Sequence, residues 1–330
     1  MSTTMTDRTI LVVGGAGYIG SHAVKALRAR GFTPVVLDNL SAGHAAAVDG
    51  VELIRGDLGD TALLDGIFRN HQIHCVMHFA ALIFVGESEK DPLAYYDNNV
   101  VRTHRLLGAM LRHGVKRFIF SSSAAVYGTP DRVPIPEDAP PRPINPYGNT
   151  KFVVELLLAD LAKACGLRYA ALRYFNAAGA DADGQLGESH DPENHLIPLV
   201  LDAAAGRREA VQVFGTDYPT PDGTCIRDYI HVTDLVDAHI RAIEALDRHP
   251  ALVLNLGTGR GYSVREIVKI AGVVTGRPVP VRETARRPGD PPALVADPGR
   301  AKTLLGWTPA QSDIATIVRT AWNWHQHRAF

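Results

Sequence analysis

The sequence of 330 residues predicts an α/β fold in which a doubly wound parallel sheet is joined to a smaller α/β domain. Three observations indicate this class. Strand and helix segments alternate through the first half, the strand segments are apolar at nearly every position, and the first strand ends in glycines that open a helix. Near-continuous apolar strands are typical of parallel sheets that are covered by helices on both faces.

The first half contains six predicted strands and four predicted helices. The pattern favours strands at 9–13, 34–37, 51–54, 75–79, 117–120 and 168–174, and helices at 18–30, 61–70, 93–112 and 146–165. In the first helix Ile19, Ala23 and Leu27 share one face, and Gly31 follows its end. Gly114 closes the third helix in the same way.

The alternation loosens after residue 176. Residues 177–227 are rich in Gly, Asp, His and Pro and contain one clear helix near 196–205. A strand at 228–232, a helix at 234–246 and a strand at 252–256 then resume the pattern, before a segment at 263–275, a Pro- and Arg-rich loop at 277–292 and a helix near 313–325. We therefore expect one domain from residues 1–176 plus about 228–260, and a smaller one from about 177–227 plus 261–330.

Composition narrows the class of partner. The formal net charge is −1, so no basic field favours nucleic acid or an anionic membrane. Cys75, Cys165 and Cys225 are too far apart for a disulfide framework or a zinc motif. The apolar runs are shorter than a membrane span, and residues 1–8 lack the apolar core of a signal peptide. These points favour a cytoplasmic globular protein.

A glycine cluster follows the first strand. Gly14, Gly15, Gly17 and Gly20 fit the spacing of loops that let a pyrophosphate approach the backbone at the start of a helix. The alternative is a glycine turn without a ligand. Because the loop joins a strand to a helix and an acid ends the next strand, a dinucleotide site is favoured.

That acid is Asp38, which lies 18 residues after Gly20. A carboxylate here can accept hydrogen bonds from both ribose hydroxyls of NAD and would repel the 2′-phosphate of NADP. No arginine follows it, so NAD is the expected cofactor. A loop cap is the alternative for Asp38, and a turn residue is the alternative for Asp57, which is otherwise suited to the adenine.

Tyr147 and Lys151 lie one turn apart on a predicted helix that Asn145 can cap and Pro146 can begin. A tyrosine has a pKa near 10, about three units above neutral pH. The helix dipole and a nearby ammonium both lower that pKa, and both are needed to make the phenol a usable base. Ser123 ends a sheet strand, at the edge where such sheets bind ligands. A solvated helix face and a strand-end serine are the alternatives.

These residues resemble the Ser/Tyr/Lys set of the extended short-chain dehydrogenase/reductases, whose fold is a Rossmann sheet. Longer strings resemble the UDP-glucose 4-epimerase family over about residues 9–325. They include VVGGAGYIGSH (12–22), HFAAL (78–82), FIFSSSAAVYG (118–128), NPYGNTK (145–151), LRYFNAAGA (172–180), FGTDYPTPDGT (214–224), RDYIHV (227–232), NLGTG (255–259) and RRPGD (286–290).

The resemblance implies C4 epimerisation of a UDP-hexose through a 4-keto intermediate. Tyr147 would act as the base, Ser123 would bridge, Lys151 would stabilise the phenolate, and bound NAD would hold the hydride transiently. Related dehydratases carry an acid after the serine-rich strand, where this chain has Ala124 and Ala125. Methyl groups cannot exchange protons, which counts against elimination.

The resemblance also implies binding residues. Cofactor contacts are expected from Gly14, Gly17, Tyr18, Ile19, Gly20, Asp38, Asn39, Asp57, Leu58, Phe79, Ala80, Ala81, Asn99, Ser121, Tyr147, Lys151 and Tyr174. Substrate contacts are expected from Ser123, Tyr147, Phe175, Asn176, His195, Leu196, Val213, Phe214, Arg227, Arg287, Asp290 and Leu294. The two arginines would hold the diphosphate, and a surface salt bridge is the alternative for each.

Three positions depart from the family pattern. Ile83 stands where some members have a lysine beside the nicotinamide, and His195 stands where some have an asparagine. Leu294 occupies the position that gates N-acetylated sugars, with a side chain intermediate between those that exclude and those that admit them. The histidine pairs His71/His74, His74/His78 and His325/His327 have no supporting carboxylate, so no metal is expected.

Three functions stay open at this point. The leading one is interconversion of UDP-glucose and UDP-galactose. The second is 4-epimerisation of another UDP-sugar (an acetylated hexosamine, a pentose or a uronic acid), and the third is a catalytically silent NAD-binding sensor. The family further implies a homodimer through helices 93–113 and 146–165, although their apolar faces could pack on the sheet alone.

Overall fold

The computed structural model describes residues 8–287 and 289–330. Its strands are β1 (Thr9–Val13), β2 (Thr33–Asp38), β3 (Glu52–Arg55), β4 (Ile73–His78), β5 (Arg117–Ser123), β6 (Arg168–Tyr174), β7 (Asn176–Ala178), β8 (Val211–Phe214), β9 (Ile226–His231), β10 (Ala251–Leu256), β11 (Gly261–Ser263), β12 (Val281–Thr284) and β13 (Ala293–Leu294).

The α-helices follow the same chain order. They are α1 (Tyr18–Ala29), α2 (Thr61–Asn70), α3 (Val85–Lys90), α4 (Pro92–Tyr96), α5 (Arg102–Arg112), α6 (Pro146–Cys165), α7 (Leu196–Ala204), α8 (Val232–Ala245), α9 (Val264–Thr275), α10 (Gly299–Leu305) and α11 (Ile314–Gln326). Short 3₁₀ turns lie at Ala45–Val48 and Ala124–Tyr127, and a π-helical turn lies at Asp97–Val101.

Seven strands form one parallel sheet in the order β10-β6-β5-β4-β1-β2-β3. The strand order reverses between β1 and β4, which is where ligands bind in sheets of this kind, beyond the carboxyl ends of the strands. The predicted doubly wound parallel sheet is confirmed.

Both faces of this sheet are covered, and β1 shows why its sequence is apolar throughout. Ile10 and Val12 point into the core on the side of α1 and α8, whereas Leu11 and Val13 point into the core on the side of α2, α5 and α6. Successive strand residues face opposite sides, so a strand between two helical layers needs an apolar residue at every position.

A smaller part of the molecule is built around β9. This strand pairs antiparallel with β11 and parallel with β7 and β13, and a separate pair joins β8 to β12. Helices α7, α9 and α11 bury a third apolar core against these strands, with Ile197, Ile267 and Ile317 at its centre. The carboxyl ends of the large sheet face this part, because Tyr18 at the start of α1 donates to the carbonyl oxygen of Gly179 at 2.6 Å.

The structure corrects several predicted bounds. The helix expected at 93–112 is divided by the π-helical turn Asp97–Val101, and α3, α10, β12 and β13 lie where no element was predicted. Strand β9 belongs to the smaller sheet, although the predicted boundary assigns residues from 228 onward to the large domain. Conversely, Ala301, Leu305 and Trp307 pack on the core of the large sheet. These elements are short or depend on distant partners, so local periodicity does not mark them.

In the described part of the chain, none of the helices combines the length and the apolar character that a membrane span requires. Cys75, Cys165 and Cys225 are free thiols.

Candidate active site

The glycine loop between β1 and α1 is the first element of the site. Gly14 has φ +76°, and a Cβ there would lie 2.5 Å from the backbone nitrogen of Ala80. A Cβ on Gly20 would lie 2.1 Å from the carbonyl oxygen of Gly14. At Gly17, by contrast, the nearest atom to an added Cβ would be 3.5 Å away, so the outer side of the loop is open for a ligand. Tyr18 and Ile19 begin α1 directly above it.

Asp38 ends β2 beside this loop and is 8% exposed. Its carboxylate accepts hydrogen bonds from the backbone nitrogen of Ala16 at 2.9 Å and from that of Leu40 at 2.8 Å. The loop-cap role, considered as an alternative, is therefore present. Because each carboxylate oxygen can accept more than one hydrogen bond, the ribose role stays compatible with it.

Asp57 follows β3 next to buried Leu58 and is held by three partners. The backbone nitrogen of Gly59 donates to it at 2.7 Å, the Asn39 amide at 3.1 Å, and Arg102 at 2.5 Å. Burial raises the pKa of Asp57, but these donors outweigh it and the pKa is lowered. The pair Asn39–Asp57 thus forms a fixed, charged rim at the ends of β2 and β3.

The segment after β4 lies against the glycine loop. Phe79 and Ala80 donate their backbone N–H groups to the carbonyl oxygen of Val13, and Ala81 continues the same segment. Asn99, in the π-helical turn, accepts from the nitrogen of Leu82 at 2.9 Å and donates to its oxygen at 3.0 Å. Its side chain therefore positions this segment, and the contact of Asn99 with the cofactor stays a prediction.

Helix α6 presents Tyr147 and Lys151 as the sequence indicates. The side chain of Asn145 caps the helix by accepting from the nitrogen of Gly148 at 2.8 Å, and Pro146 is its first residue. Both predicted helix-start roles are confirmed. The Lys151 ammonium donates to the carbonyl oxygen of Ser121 at 2.9 Å and lies 5.8 Å from the centre of the Tyr147 ring.

Ser123 brings the third hydroxyl to the same place, at the end of β5. Its hydroxyl acts on Tyr147 in the direction that lowers the pKa of the phenol, and its oxygen accepts from the nitrogen of Ala125 at 3.1 Å. The structure therefore brings Ser123, Tyr147 and Lys151 together at the carboxyl edge of the large sheet.

The expected lowering of the tyrosine pKa is wrong for the protein alone. Desolvation raises the pKa of Tyr147 and outweighs the opposing effect of the Ser123 hydroxyl. Burial also lowers the pKa of Lys151 to about 7, against the opposing effect of the Glu155 carboxylate. An ammonium with this pKa carries only part of its charge at neutral pH, so the phenolate needs a further positive charge nearby.

The floor of the site consists of aromatic rings around His239. Its ring centre lies 5.1 Å from that of Phe79 and 6.1 Å from that of Tyr174, and its Nε2 is 3.2 Å from the Ser121 hydroxyl. Burial lowers the pKa of His239 to about 4, so it is neutral. Burial also raises the pKa of Tyr174, which stays a neutral phenol.

The sequence does not single out His239, nor a buried ion pair below the site. Glu155, four residues after Lys151 on α6, accepts from the Nε atom of Arg173 at 2.9 Å and from the hydroxyl of Ser122 at 2.5 Å. Arg173 also donates to the Tyr127 hydroxyl at 2.9 Å. The spacing of Lys151 and Glu155 was the only sequence signal for this network, and a helix-face pair is too common to indicate burial.

The predicted diphosphate cations lie at the edge of the smaller part. Arg227 forms an ion pair with Asp290 and donates to the carbonyl oxygen of Ile226 at 2.7 Å, so two predicted substrate residues pair with each other. The Arg287 guanidinium lies 3.8 Å from the centre of the Phe214 ring, a cation–π contact. Arg287 and Asp290 line one surface cleft. Pro288, between them, lies outside the described residues.

The other predicted substrate residues occupy the joint between the two parts. Asn176 donates to the carbonyl oxygen of Asp228 at 3.0 Å, and Leu294 pairs in register with Arg227. The Val213 side chain is buried, so only its backbone could face a ligand. The remaining three are partly exposed: Phe175, His195 and Leu196.

Comparison with known proteins agrees with this geometry. A sequence model of the NAD dependent epimerase/dehydratase family matches residues 10–257. A relative named UDP-glucose 4-epimerase, from Halalkalibacterium halodurans, is 52% identical over 318 residues, which are 96% of this chain and 95% of the relative. Another with the same name, from Rhizobium meliloti, is 52% identical over 325 residues, 98% and 99% of the two chains.

The chain belongs to the NAD dependent epimerase/dehydratase family.

Solved structures place it more narrowly among the epimerases of this family. The UDP-glucose 4-epimerase from Brucella ovis, solved in complex with NAD, is 56% identical with a TM-score of 0.93, covering 96% of this chain and 97% of that one. The enzyme from Bifidobacterium longum, solved with NAD⁺ and UDP, is 41% identical with a TM-score of 0.93, covering 97% and 98%.

The two alanines that count against elimination directly follow Ser123. Ala124 is buried in the 3₁₀ turn after β5, and Ala125 donates its backbone nitrogen to the Ser123 hydroxyl. A Cβ on Gly148 would lie 2.6 Å from the carbonyl oxygen of Ala125, so this turn is packed closely against α6. Neither alanine offers a group for proton exchange on a substrate carbon.

Proposed function

We propose that this protein interconverts UDP-glucose and UDP-galactose by epimerisation at C4 and uses bound NAD. The observation that carries the proposal is the meeting of Ser123, Tyr147 and Lys151 beside a turn that has alanines at 124 and 125. This set can move a hydride and a proton at a carbinol carbon, and it contains no acid for elimination.

The residues present fit NAD. The glycine loop leaves its outer side open at Gly17 above the start of α1, where backbone N–H groups and the helix dipole favour a pyrophosphate. Asp38 places a carboxylate at the end of β2, where the ribose hydroxyls of a dinucleotide lie in such sheets. Asn39 and Asp57 form the adjoining rim for the adenine.

Proton transfer is the task of Tyr147. Its phenolate takes the proton of the C4 hydroxyl, with the Ser123 hydroxyl bridging, and C4 becomes a ketone as its hydrogen leaves as hydride. When bound, NAD accepts and returns that hydride and adds a positive charge that favours the phenolate. After the keto sugar turns about its bond to the diphosphate, Tyr147 returns the proton to the oxygen on the other face. Lys151 holds the phenolate electrostatically.

The smaller part of the molecule, built around β9, binds the UDP group of the substrate. Arg227 and Arg287 supply the charge for the diphosphate, and Phe214 supplies a ring face beside the uracil. Arg227 and Asp290 form an ion pair in the protein alone. On this proposal the bound diphosphate takes Arg227 from that pair, and the Asp290 carboxylate then turns to the uridine ribose. On this proposal the large sheet with its helices holds NAD, and the strands around β9 hold the sugar nucleotide.

The deciding experiment is incubation of the purified protein with UDP-galactose and no added cofactor, followed by separation of the products. Formation of UDP-glucose establishes the reaction and a cofactor that stays bound. If the protein contains NAD but converts none of UDP-galactose, UDP-N-acetylgalactosamine or UDP-xylose, the proposal fails in favour of a sensor.

Because Leu294 occupies the position expected to admit or exclude N-acetylated sugars, UDP-N-acetylglucosamine should be measured as a second substrate in the same assay. The Leu294 side chain packs with Phe175 on the small apolar cluster of Val126, Tyr127 and Ile135. These contacts hold the Leu294 side chain in place and so limit the space that is left for an N-acetyl group. Turnover of UDP-N-acetylglucosamine faster than that of UDP-galactose would move the assignment to an epimerase of acetylated sugars.

We also propose a homodimer and a cytoplasmic location. Leu93, Val101 and Leu156 are exposed apolar residues on α4, the π-helical turn and α6, three elements that contact one another, and exposed apolar side chains on neighbouring elements support an interface there. The three cysteines are free although two are buried, as expected in a reducing compartment. Light scattering tests the dimer, and fractionation of cells tests the location.

A further inference from the structure

Four metal-ligating side chains converge in the loop before α7. One ligand atom from each of Glu188, His190, Glu193 and His195 lies within 4.8 Å of those of the other three. The Nδ1 atom of His195 lies 2.7 Å from Glu188 and 3.2 Å from Glu193, and that of His190 lies 3.3 and 3.6 Å from the same two carboxylates. Two nitrogens and two oxygens therefore face one point.

These distances match the edges of a coordination tetrahedron. Zinc binds His nitrogen and carboxylate oxygen at about 2.0–2.2 Å, so neighbouring ligand atoms stand about 3.3–3.6 Å apart. Three of the four nitrogen–oxygen distances, at 3.2, 3.3 and 3.6 Å, lie within or next to this range, with His195 nearer to Oε1 of Glu193 and His190 nearer to its Oε2. The fourth, at 2.7 Å, needs to lengthen by about 0.6 Å when an ion binds.

The hydrogen bonding of His190 points the same way. Its Nδ1 atom is buried, faces both carboxylates, and finds no hydrogen-bond partner of acceptable geometry among the described residues. A buried imidazole nitrogen without a partner is costly. A metal ion between the imidazoles and the carboxylates would satisfy it, since one ion can bond to all four atoms.

We propose that Glu188, His190, Glu193 and His195 form a binding site for one divalent transition-metal ion, with zinc the best match in ligand type and geometry. All four coordination positions come from the protein, which is typical of structural rather than catalytic zinc. The ion joins residues 188 and 195 and so fixes the loop that leads into α7. No proton or hydride step of the epimerase proposal uses these four residues, of which only His195 is also an expected substrate contact.

The electrostatics of the loop favour a divalent cation. Glu188 and Glu193 bring two carboxylates to the loop, each within 3.6 Å of both histidine Nδ1 atoms. One divalent ion matches the charge of two carboxylates, with both imidazoles bound in their neutral form.

This group was not expected from the sequence, because the histidine pairs considered there lie elsewhere and the loop has no regular structure. The proposal therefore departs from the expectation that the protein binds no metal, although Ser123, Tyr147 and Lys151 need none. His195, whose contact with the substrate stays a prediction, directs its Nδ1 atom to this cluster, and the rest of its ring is partly exposed with the ring centre of Phe84 6.3 Å away.

The test uses untagged protein, freed of metal with a chelator and titrated with Zn²⁺ alone and, separately, with Co²⁺ alone. We expect one equivalent to bind, and the Co²⁺ form to show the visible absorption of a four-coordinate ion. His190→Ala should weaken Zn²⁺ binding at least a hundredfold. His327→Ala is the matched control, since His327 is exposed near the C-terminal end of the chain and belongs to no part of this cluster. This variant should bind Zn²⁺ with the affinity of the parent protein.

A thermal measurement guards against a variant that fails to fold. Zn²⁺ should raise the Tm of the parent protein and of His327→Ala, and should leave that of a folded His190→Ala or Glu193→Gln unchanged. Binding of less than one equivalent, a six-coordinate Co²⁺ spectrum, or equal affinity in His190→Ala would overturn the proposal. The four residues would then be an ion-pair cluster of two histidinium and two carboxylate groups.

Discussion

Tyr147 is a partly exposed residue whose phenol pKa is raised by desolvation, next to a buried lysine whose pKa burial lowers to about 7. The two shifts have the same cause, since both charged forms lose hydration. In the protein alone the Tyr147 phenol therefore stays protonated at neutral pH, and the Lys151 ammonium carries only part of its charge. Their chemistry therefore depends on what binds between them and the glycine loop.

Tyr147→Phe removes the base and leaves the ring. We expect the epimerisation rate to fall at least about a hundredfold, the usual scale for a general base, while NAD binding is retained. The measurement is turnover of UDP-galactose together with the NAD content of the purified variant. Near-normal turnover would remove Tyr147 from its role.

Asp38→Ala removes the carboxylate at the end of β2. Hydrogen bonds to a charged acceptor contribute about 1.5–3 kcal/mol each, so we expect NAD affinity to fall at least about tenfold. Asp49→Ala, at an exposed position just beyond, is the control and should bind NAD as the parent does. If Asp38→Ala binds NAD normally, Asp38 is only the cap of the loop that its bonds to Ala16 and Leu40 describe.

At the scale of elements, the close packing of the glycine loop against α1 allows no side chain at Gly20. Gly20 sits on α1 with the carbonyl oxygen of Gly14 where its Cβ would be. Gly20→Ala should lower the free energy of unfolding by about 1–3 kcal/mol and weaken NAD binding, because the backbone must move. Denaturant titration and NAD titration measure both effects.

Gly66→Ala provides the comparison for that loss. Gly66 lies inside α2, and an added Cβ there would meet no atom within 4 Å. The change should stabilise the protein by about 0.5–1 kcal/mol, since alanine has the higher helix propensity. A similar loss in both variants would show that the Gly20 effect is unrelated to its close approach.

Helix α6 carries the second element-scale prediction. It presents Tyr147 and Lys151 to the site and Glu155 to Arg173 in the core. Glu155→Gln leaves the Arg173 charge buried without its counter-ion, which should lower the free energy of unfolding by roughly 3–5 kcal/mol. The Lys151 pKa should fall further as well, because Glu155 raises it.

The matched variant is Asp160→Asn, on the same helix but exposed. It should change stability by less than about 0.5 kcal/mol. Equal stabilities of the two variants in denaturant titration would argue that the buried pair contributes no more than a surface charge.

At the scale of the whole molecule, the exposed apolar residues on the face of α4 and α6 stand out. Leu93 is 81% exposed and Leu156 is 49% exposed. If this face is the dimer interface, the double variant Leu93→Glu/Leu156→Glu would bury two carboxylates in it, so the dimer should not form. Light scattering should then give the mass of a monomer, 35.7 kDa. Val273→Glu, on α9 at 79% exposure, should leave the mass of the parent unchanged. A parent protein that is itself monomeric would refute the homodimer.

How far the sequence reaches can be judged from particular residues. The class of the large sheet, the start of α6 at Asn145 and Pro146, and the glycine loop could all be predicted, because each depends on neighbours within a few positions. The membership of β9 could not, since its partners β7, β11 and β13 are far apart in the chain. The division into two domains at the predicted boundaries stays a prediction.

The sequence by itself determined the candidate residues for the chemistry, because residue type and short-range spacing are local properties. The glycines of the loop, the acid at the end of β2 and the Tyr147/Lys151 pair can all be read in this way. Only the tertiary structure decided what those residues face. It paired Arg227 with Asp290, placed Glu155 against Arg173, put Asn99 on the backbone of Leu82, and gathered two glutamates and two histidines before α7. The physical reason is that burial and charge pairing depend on distance in space, which the large sheet sets by bringing remote strand ends to one edge.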